Sequence, residues 1–439
     1  MKTKDRLLSL DVLRGLDMLL LTVVGPLFWA IHKIWPQSET VQCQFKHFWG
    51  GFTLWDIIMP LFIFMCGAAI PYALSKRLDA NGRPTGRFWL HVLSRVVLLW
   101  FCGLLVQGNL TSLDVLRINP YSNTLQTIAA GYLIAALVML IPVRAIRIAC
   151  PLLLAGLYGG LLHFCGDYSQ AGNFASICEV KIFSAILPAG HEVMKRIAEN
   201  NIPDHGYTWF LTTLMFGFMT LCGAQCAEIL RGEWSCKRKA VTLFALGAGL
   251  LAAGWGLVFA GVPMIKHIFT VSFTFQAMGW CVLALALLYL LTDVLMLRRG
   301  WWLVTLFGQC ALTAYMTKNF FGSALNAATE RITGGVPHLI GDTYMPLVTW
   351  FTASVLLTLV CWMRRRARIA ARPAPQETED ISEARPTAVP PQDNGAIAAR
   401  YQLPTASAPA VPKSSETAES TGHAGPKMAS KVNLKLHQD

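Results

Sequence analysis

A histidine oriented by a carboxylate is the usual device for moving a proton at neutral pH, or for taking part in acyl transfer. His47 and Asp56 offer that pair: His47 lies in Gln44-Phe-Lys-His-Phe-Trp-Gly-Gly51, and Asp56 stands about one turn inside the apolar run that follows. Pro60, four residues on, cannot donate the backbone bond that the carbonyl of Asp56 would accept. That frees an acceptor and predicts a bend where Asp56 sits. A lone loop histidine is more often an ordinary surface residue, so the neighbouring carboxylate is what gives His47 a role.

A second constellation lies in the first and third apolar runs. Asp11, Arg14 and Asp17 recur at helical i, i+3 spacing and share a face. The plain reading is an ion-pair ladder; the functional one gives Arg14 spare donors for an anionic ligand. Arg95 sits as far into the third run as Arg14 sits into the first, both about 10 Å deep at the helical rise. Two guanidinia at one depth need something anionic between them, and phosphates satisfy arginine in a bidentate fashion. His91, one turn before Arg95, faces the same way. Other polar groups open or close apolar runs: Asn123 and Gln126, then Lys266, His267 and Ser272, then Lys318 and Asn319. His47 and His267 have no closely spaced partners of metal-ligand type, so no metal site is expected.

These residues must be positioned by membrane helices. The chain is 54% hydrophobic and 14% charged, with mean hydropathy +0.46, against about 25% charged in soluble domains. Apolar runs near 20 residues match a hydrocarbon core of about 30 Å. The expected fold is an all-α polytopic bundle of about ten spans: 7–34, 53–75, 88–108, 121–142, 146–165, 207–230, 240–262, 267–292, 301–322 and 344–363. Lys and Arg favour the amino-terminal end, the even connections and the carboxyl exit over the odd connections by roughly two to one. Both ends are therefore expected in the cytoplasm, which requires an even number of spans. The net charge of +12 sits in short clusters between apolar runs, which excludes a nucleic-acid face.

Two expected outside segments, 37–51 and 166–206, exceed what a connection needs. The second reads as a partly folded lid over an outward-facing site. Most of the twelve cysteines lie in apolar runs as small hydrophobes; Cys43, Cys165 and Cys178 lie in outside loops and leave room for one disulfide. The membrane domain is expected over 1–366. From 367 to 439 Ala, Pro, Ser, Thr and Glu dominate, and this stretch reads as a disordered tail without a catalytic part.

At these residues the chain resembles the membrane acetyltransferases typified by heparan-alpha-glucosaminide N-acetyltransferase. Arg6-Leu-Leu-Ser9-Leu-Asp11-Val-Leu-Arg14-Gly15 is similar to that family's R-x-x-S-x-D-x-x-R-G opening. Phe45-Lys46-His47 with Trp49, Gly51, Thr53, Asp56 and Pro60 resembles its F-K-H segment. Leu125-Gln126 with Tyr132, Pro203-Asp204 through Gly217 and Gly223, and Pro263 through Lys266, Ser272 and Phe273 resemble three later motifs in order. The chain departs at Thr127, where the family has arginine, and at Pro203-Asp-His-Gly206, where it has D-P-E-G.

The resemblance implies an inner-membrane acyltransferase. Acetyl-CoA in the cytosol would be the co-substrate, and an amino sugar or related glycan on the far side the acceptor. It gives His47 the active-histidine position. With the reading above, His47 and Asp56 are the expected catalytic residues. Arg14, Arg95, Asp11, Gln126 and Lys266 are expected at the donor, and Trp49, Asn123, His267, Ser272 and Asn319 at the acceptor. Membrane lipid is the expected surrounding, and a homo-oligomer is compatible with the sequence. A saccharide or lipid-linked-intermediate transporter would also place polar residues at midplane, although the halves show no clear repeat. A non-catalytic subunit recruiting partners through the tail is the other reading.

Overall fold

The computed structural model describes residues 7–36, 47–79, 82–108, 110, 114–203 and 206–371. Outside the described residues lie Lys2, Lys4, Arg6, Cys43, Phe45, Lys46, Asp204, His205 and the tail from Arg372 onward.

The chain is helical, as its apolar runs demand when backbone groups must be satisfied within the bilayer. Among the described residues, eight helices are long and apolar enough to span a membrane. They are α1 (Leu8–Ile34), α2 (Leu54–Leu74), α3 (Gly86–Gln107), α5 (Arg144–Cys165), α8 (Thr213–Arg231), α9 (Cys236–Phe259), α10 (Val271–Val294) and α14 (Asp342–Ala370). The other two of the ten expected runs form shorter helices. The fourth, α4 (Thr124–Val138), has 15 residues, about 22 Å of helix and short of a full crossing. The ninth is broken at Cys310 into α11 (Trp302–Gln309) and α12 (Ala311–Asn319). Between α5 and α8, α6 (Phe174–Ile186) and α7 (Glu192–Asn200) fold the long segment; α13 (Gly322–Thr333) precedes α14.

The first and last helices fix which ends belong together. No side chain of its own caps the start of α1; the carboxylate of Asp293, at the end of α10, accepts from the amides of Leu8 (3.1 Å) and Ser9 (3.0 Å). An acid at the amino-terminal end of a helix also opposes its dipole favourably. α14 runs back along α1, with Trp350 donating to the carbonyl of Val23 at 2.8 Å. Arg368, near the end of α14, lies beside Arg14 on a shared cavity. The start of α1 and the end of α14 therefore share one end of the bundle, and His47, Asp56 and Lys266 lie at the other. α14 continues to Ala370, past the boundary expected at 366.

Close helix packing comes from glycine. A Cβ on Gly67 would lie 1.8 Å from the Thr220 carbonyl oxygen, and one on Gly223 would lie 1.9 Å from that of Phe64. α2 and α8 thus touch backbone to backbone, as small residues allow in membranes. Gly15 and Gly308 do the same for α1 and α11, at 1.8 Å from Val304 and 2.3 Å from Asp11. α1 itself contains a π-helical segment, Leu20–Val24. Pro26 explains it: its ring crowds the carbonyl of Thr22 and it donates no backbone bond, so the turn before it widens.

Two expectations are corrected here. The chain at Asp56 is a 3₁₀ turn, Leu54–Ile57, passing into regular helix at Ile58, so Asp56 precedes the regular helix and does not lie a turn inside it. Cys165 and Cys178 are both free thiols.

Substituting Gly223 by Val should force α2 and α8 apart and cost about 1–3 kcal/mol or more. Gly249→Val, where no atom lies within 4 Å of the added Cβ, should change stability by less than about 0.5 kcal/mol. Thermal melting of the purified protein compares the two.

Candidate functional site

Thr53 and Asp56 form a reciprocal cap at the mouth of α2. Asp56 Oδ2 accepts from the Thr53 amide (2.8 Å) and hydroxyl (2.9 Å). That leaves Oδ1 pointing at two cations in waiting. His47 Nδ1 lies 2.7 Å away and Lys266 Nζ 3.3 Å away. Lys266 Nζ is also 2.9 Å from His47 Nδ1 and 3.0 Å from Nε2. Nδ1–H is committed to the carboxylate, so Nε2 is the ring atom that can accept from the lysine. Asp56 is 2% exposed and Lys266 5%. The result is a carboxylate–imidazole–ammonium cluster with Nε2 as its basic atom.

Lys266 reaches the cluster on a loop locked from several sides. Thr270 and Ser272 both donate to the carbonyl of Pro263 at 2.8 Å, and Thr270 accepts from the amide of Ile265 at 3.0 Å. The Tyr158 hydroxyl donates to Ile268. Gly51 donates to Met264 at 2.8 Å and Thr208 to His267 at 3.2 Å. Phe269 is held at φ 45°, an uncommon conformation for a bulky side chain, of the kind that surrounding structure must over-determine. Burial lowers the Lys266 ammonium to about 8, against the opposing pull of Asp56.

Aromatic rings close the site from above. His267 lies between Trp49 (5.2 Å, stacked) and Tyr207 (4.3 Å). Burial, and then the charges of His47 and Lys266, lower the His267 imidazole to about 4, so it is neutral. The long segment supplies the anchorage: Trp49 donates to Tyr168 at 3.1 Å, and Glu179 on α6 accepts from the amides of Trp209 (3.2 Å) and Phe210 (3.0 Å).

Two cavities meet below this cluster. The smaller, about 240 Å³, is lined by His47, Lys266, Tyr207, Trp209 and Asn319 among others. The larger, about 450 Å³, opens towards the opposite end and is lined by Arg14, Arg95 and Arg368. Phe62, Thr124 and Tyr315 belong to both walls. Arg95 donates to Cys66 Sγ at 3.5 Å, with its guanidinium 4.6 Å from the ring centre of Tyr132. Arg368 donates to the carbonyl of Gln309 at 2.8 Å. Gln309 ends α11 at the break in the ninth pass, and Gly308 through Leu312 face the cavity. Broken backbone at membrane depth is tolerated where it lines such a space.

The structure brings together some expected residues and separates others. His47 and Asp56 pair directly, and Arg14 and Arg95 share one cavity. Lys266, expected with the donor arginines, instead belongs to the His47 cluster at the other end. Asp11 lies 3.9 Å from Arg14 and lines neither cavity. The ladder does not extend to Asp17, whose two buried oxygens have no hydrogen-bond partner among the described residues. Gln126, expected at the donor, caps α4: it accepts from the amides of Ser122 (2.9 Å) and Asn123 (3.1 Å) and donates to Pro120 at 3.0 Å. Asn123, expected at the acceptor, is the other half of that cap, accepting from Leu125 at 2.9 Å. Ser272 is buried and spent on Pro263. Trp49 and His267 roof the cluster, and Asn319 lines its cavity. Arg368, Tyr207, Trp209, Thr124 and Tyr315 were not singled out in the sequence. Arg368 was hidden in the basic run Arg364–Arg368, and the Tyr207–Trp209 pair among aromatic and threonine residues whose types name no chemistry of their own.

A family model described as Domain of unknown function (DUF5009) matches residues 6–136. That span holds Arg14, His47, Asp56 and Arg95 but neither Lys266 nor Arg368. No curated protein matches the chain.

The two lowered bases give a pH signature of stability. An unfolded chain protonates histidine near 6.5, whereas folded His267 stays neutral to about 4. The unfolded state therefore binds the extra proton in that window, and stability falls as pH drops through it. Likewise stability rises between about 8 and 10.5, where folded but not unfolded Lys266 has lost its proton. Melting temperature against pH should lose the acid limb in His267→Phe and the alkaline rise in Lys266→Met.

Proposed function

We propose that this protein transfers an acetyl group from acetyl-CoA, entering at the end where α1 begins, to an amine on a sugar-like acceptor at the end where His47 lies. What carries the reading is the pair of cavities with a common wall, one edged by three guanidinia and the other by a carboxylate-oriented imidazole. Charged phosphates suit the first, and a positioned base suits the second. At about 450 Å³ the arginine cavity is at the modest end of ligand sites. It suits a narrow phosphorylated arm better than a whole coenzyme. Tyr315 and Thr124 stand where that arm would pass towards His47.

The step balances without further reagents. The neutral amine nitrogen forms a bond to the thioester carbonyl carbon as its proton passes to His47 Nε2. Asp56 holds Nδ1–H and stabilises the imidazolium. Lys266, freed from Nε2 by that proton, faces the oxyanion that develops on the carbonyl. The carbon–sulfur bond then breaks, and the departing thiolate takes the proton from His47. The acetylated amine leaves on one side and free coenzyme A on the other. By the positive charge of its surroundings, the arginine end is the cytoplasmic one.

Cavities in series also suit a conduit for solute, which is the transporter reading. Consumption of acetyl-CoA by the purified protein separates the two, since a transporter leaves the thioester intact.

His47→Ala should lower turnover by about a hundred- to ten-thousand-fold while leaving coenzyme A binding, measured by calorimetry, within a factor of about two; unchanged turnover would remove the imidazole from the reaction. Arg368→Ala should weaken coenzyme A binding by roughly ten- to a hundred-fold. A chain ended after Ala371 should bind as the whole protein does, and one ended after Arg366 should bind as Arg368→Ala does.

A further inference from the structure

A third space adjoins the His47 cavity. It is a groove of about 750 Å³ between the outer half of α1 and the start of α14, closed on one side by α12 and α13. Leu21 and Trp55 line both this groove and the His47 cavity. The consecutive residues Lys318 and Asn319 face one space each. The Trp55 indole packs on Gly25 so closely that a Cβ there would lie 2.1 Å from it. The wall between groove and cavity is thus the Trp55 ring, seated on a glycine, together with Leu21.

The groove has two different halves. Measured along α1 from Leu21 to Lys33 it runs about 18 Å. The inner half is apolar, with Leu21, Leu325, Ala353 and Leu357. Its hydroxyls are turned away: Thr22 donates to Met18 at 2.7 Å and Ser354 to Trp350 at 2.8 Å, each within its own helix. The charged lining residues are Lys33, Lys318, Glu330 and Asp342. None of the four lies within ion-pair distance of an opposite charge among the described residues. Trp29 and Trp350 line the passage between the halves. Trp29 is 64% exposed, and α14 is buried over only 11% of its apolar window, so the groove lies on the side of the bundle that meets lipid. An exposed tryptophan alone is an ordinary membrane anchor. Two cations and two anions held apart over an apolar trough are not.

We infer that this groove holds the acceptor, and that the acceptor is a lipid-linked amino sugar joined to its hydrocarbon chain through a phosphate. The inference rests on the acyl-transfer reading of the neighbouring cavity and adds the acceptor's class. The lysines match the phosphate, and the carboxylates match the ammonium before it is deprotonated. The tryptophan faces match the sugar ring, and the inner trough takes the hydrocarbon chain. A water-soluble glycan would leave the trough unused. An ordinary glycerophospholipid would leave the tryptophan faces unused.

The full chain in phosphatidylcholine nanodiscs tests this without acetyl-CoA. The probe is glucosamine linked by a phosphodiester to a brominated dodecyl chain, read by quenching of tryptophan fluorescence. Saturable quenching is expected. Free glucosamine 1-phosphate should compete at least about a hundred-fold more weakly, for want of the buried chain, and phosphatidylethanolamine should compete no better than phosphatidylcholine. Lys33→Glu with Lys318→Glu should weaken the probe by about ten-fold or more, with gel filtration checking the fold. Equal competition by phosphatidylethanolamine would make the groove a lipid seat. Equal competition by the free sugar phosphate would make the acceptor soluble. Either result, or no saturable quenching, overturns the inference. Acetyl-CoA turnover is scored separately: saturable quenching without turnover sinks the acyl-transfer reading alone, and turnover on free glucosamine with no quenching sinks the groove alone.

Discussion

The charge of Asp56 governs the site. A carboxylate 2% exposed at the mouth of a membrane helix is tolerated only if its lone pairs are met by donors and its charge by a cation. Thr53 meets one oxygen with two bonds from the same turn. The other oxygen is met by His47 and Lys266, which come from separate loops. Satisfying one buried charge therefore draws together the segment before α2 and the loop between α9 and α10. Removing the carboxylate would leave a buried ammonium beside an imidazole with no reason to keep its tautomer. The loss would extend beyond the chemistry to the positions of Trp49 and His267, whose stack stands on the same two loops.

The His47 end of the bundle is assembled from parts that are each too short to hold a shape alone. Gly51 donates to Met264, Thr208 to His267, and Trp49 to Tyr168. Glu179 ties the Tyr207–Trp209 segment to α6. Each contact bridges a different pair of loops, so the roof over His47 behaves as one layer. At the opposite end the order comes from glycine packing. α1 and α11 approach until backbone meets backbone, and this sets Arg14 beside the broken end of α11, where Arg368 finds the carbonyl of Gln309.

Much of this was legible in the sequence because the bilayer imposes a length. Ten apolar runs stood out, eight of which are long helices among the described residues, and the His47–Asp56 pair stood out because both residues lie close in the chain at the edge of such a run. Counting inward at the helical rise put Arg14 and Arg95 at one level, and the two line one cavity. What hydropathy cannot express is continuity. The fourth run starts deep, as a capped helix after the turn at Pro120 through Asn123, and the ninth breaks at Cys310, yet both read as uniform apolar stretches. Gln126 looked like a ligand group because a polar residue in an apolar run needs a partner. Its partners are the amides of its own helix start, a local answer that residue type does not reveal. Arg368 had the opposite problem, since a cation among cations at a helix exit already has a sufficient reason in the charge rule for cytoplasmic ends. Lys266 was misplaced because its partners lie more than two hundred positions away, and only packing could bring them together.

The π-helical segment of α1 ties these features to one another. Pro26 forces the widened turn, and the widened turn presents Leu21 to the His47 cavity while offering the carbonyl of Val23 to Trp350. Gly25, beside the proline, leaves room for the Trp55 indole. A regular helix over the same residues would rotate everything beyond Val24 by the angle of the extra residue and carry Trp29 and Lys33 off the face that α14 covers. One proline thus sets the angular offset between the inner half of α1, which presents Arg14, and the outer half, which presents the groove. The two ends of a single helix can then serve opposite sides of the membrane without the bundle having to twist to accommodate them.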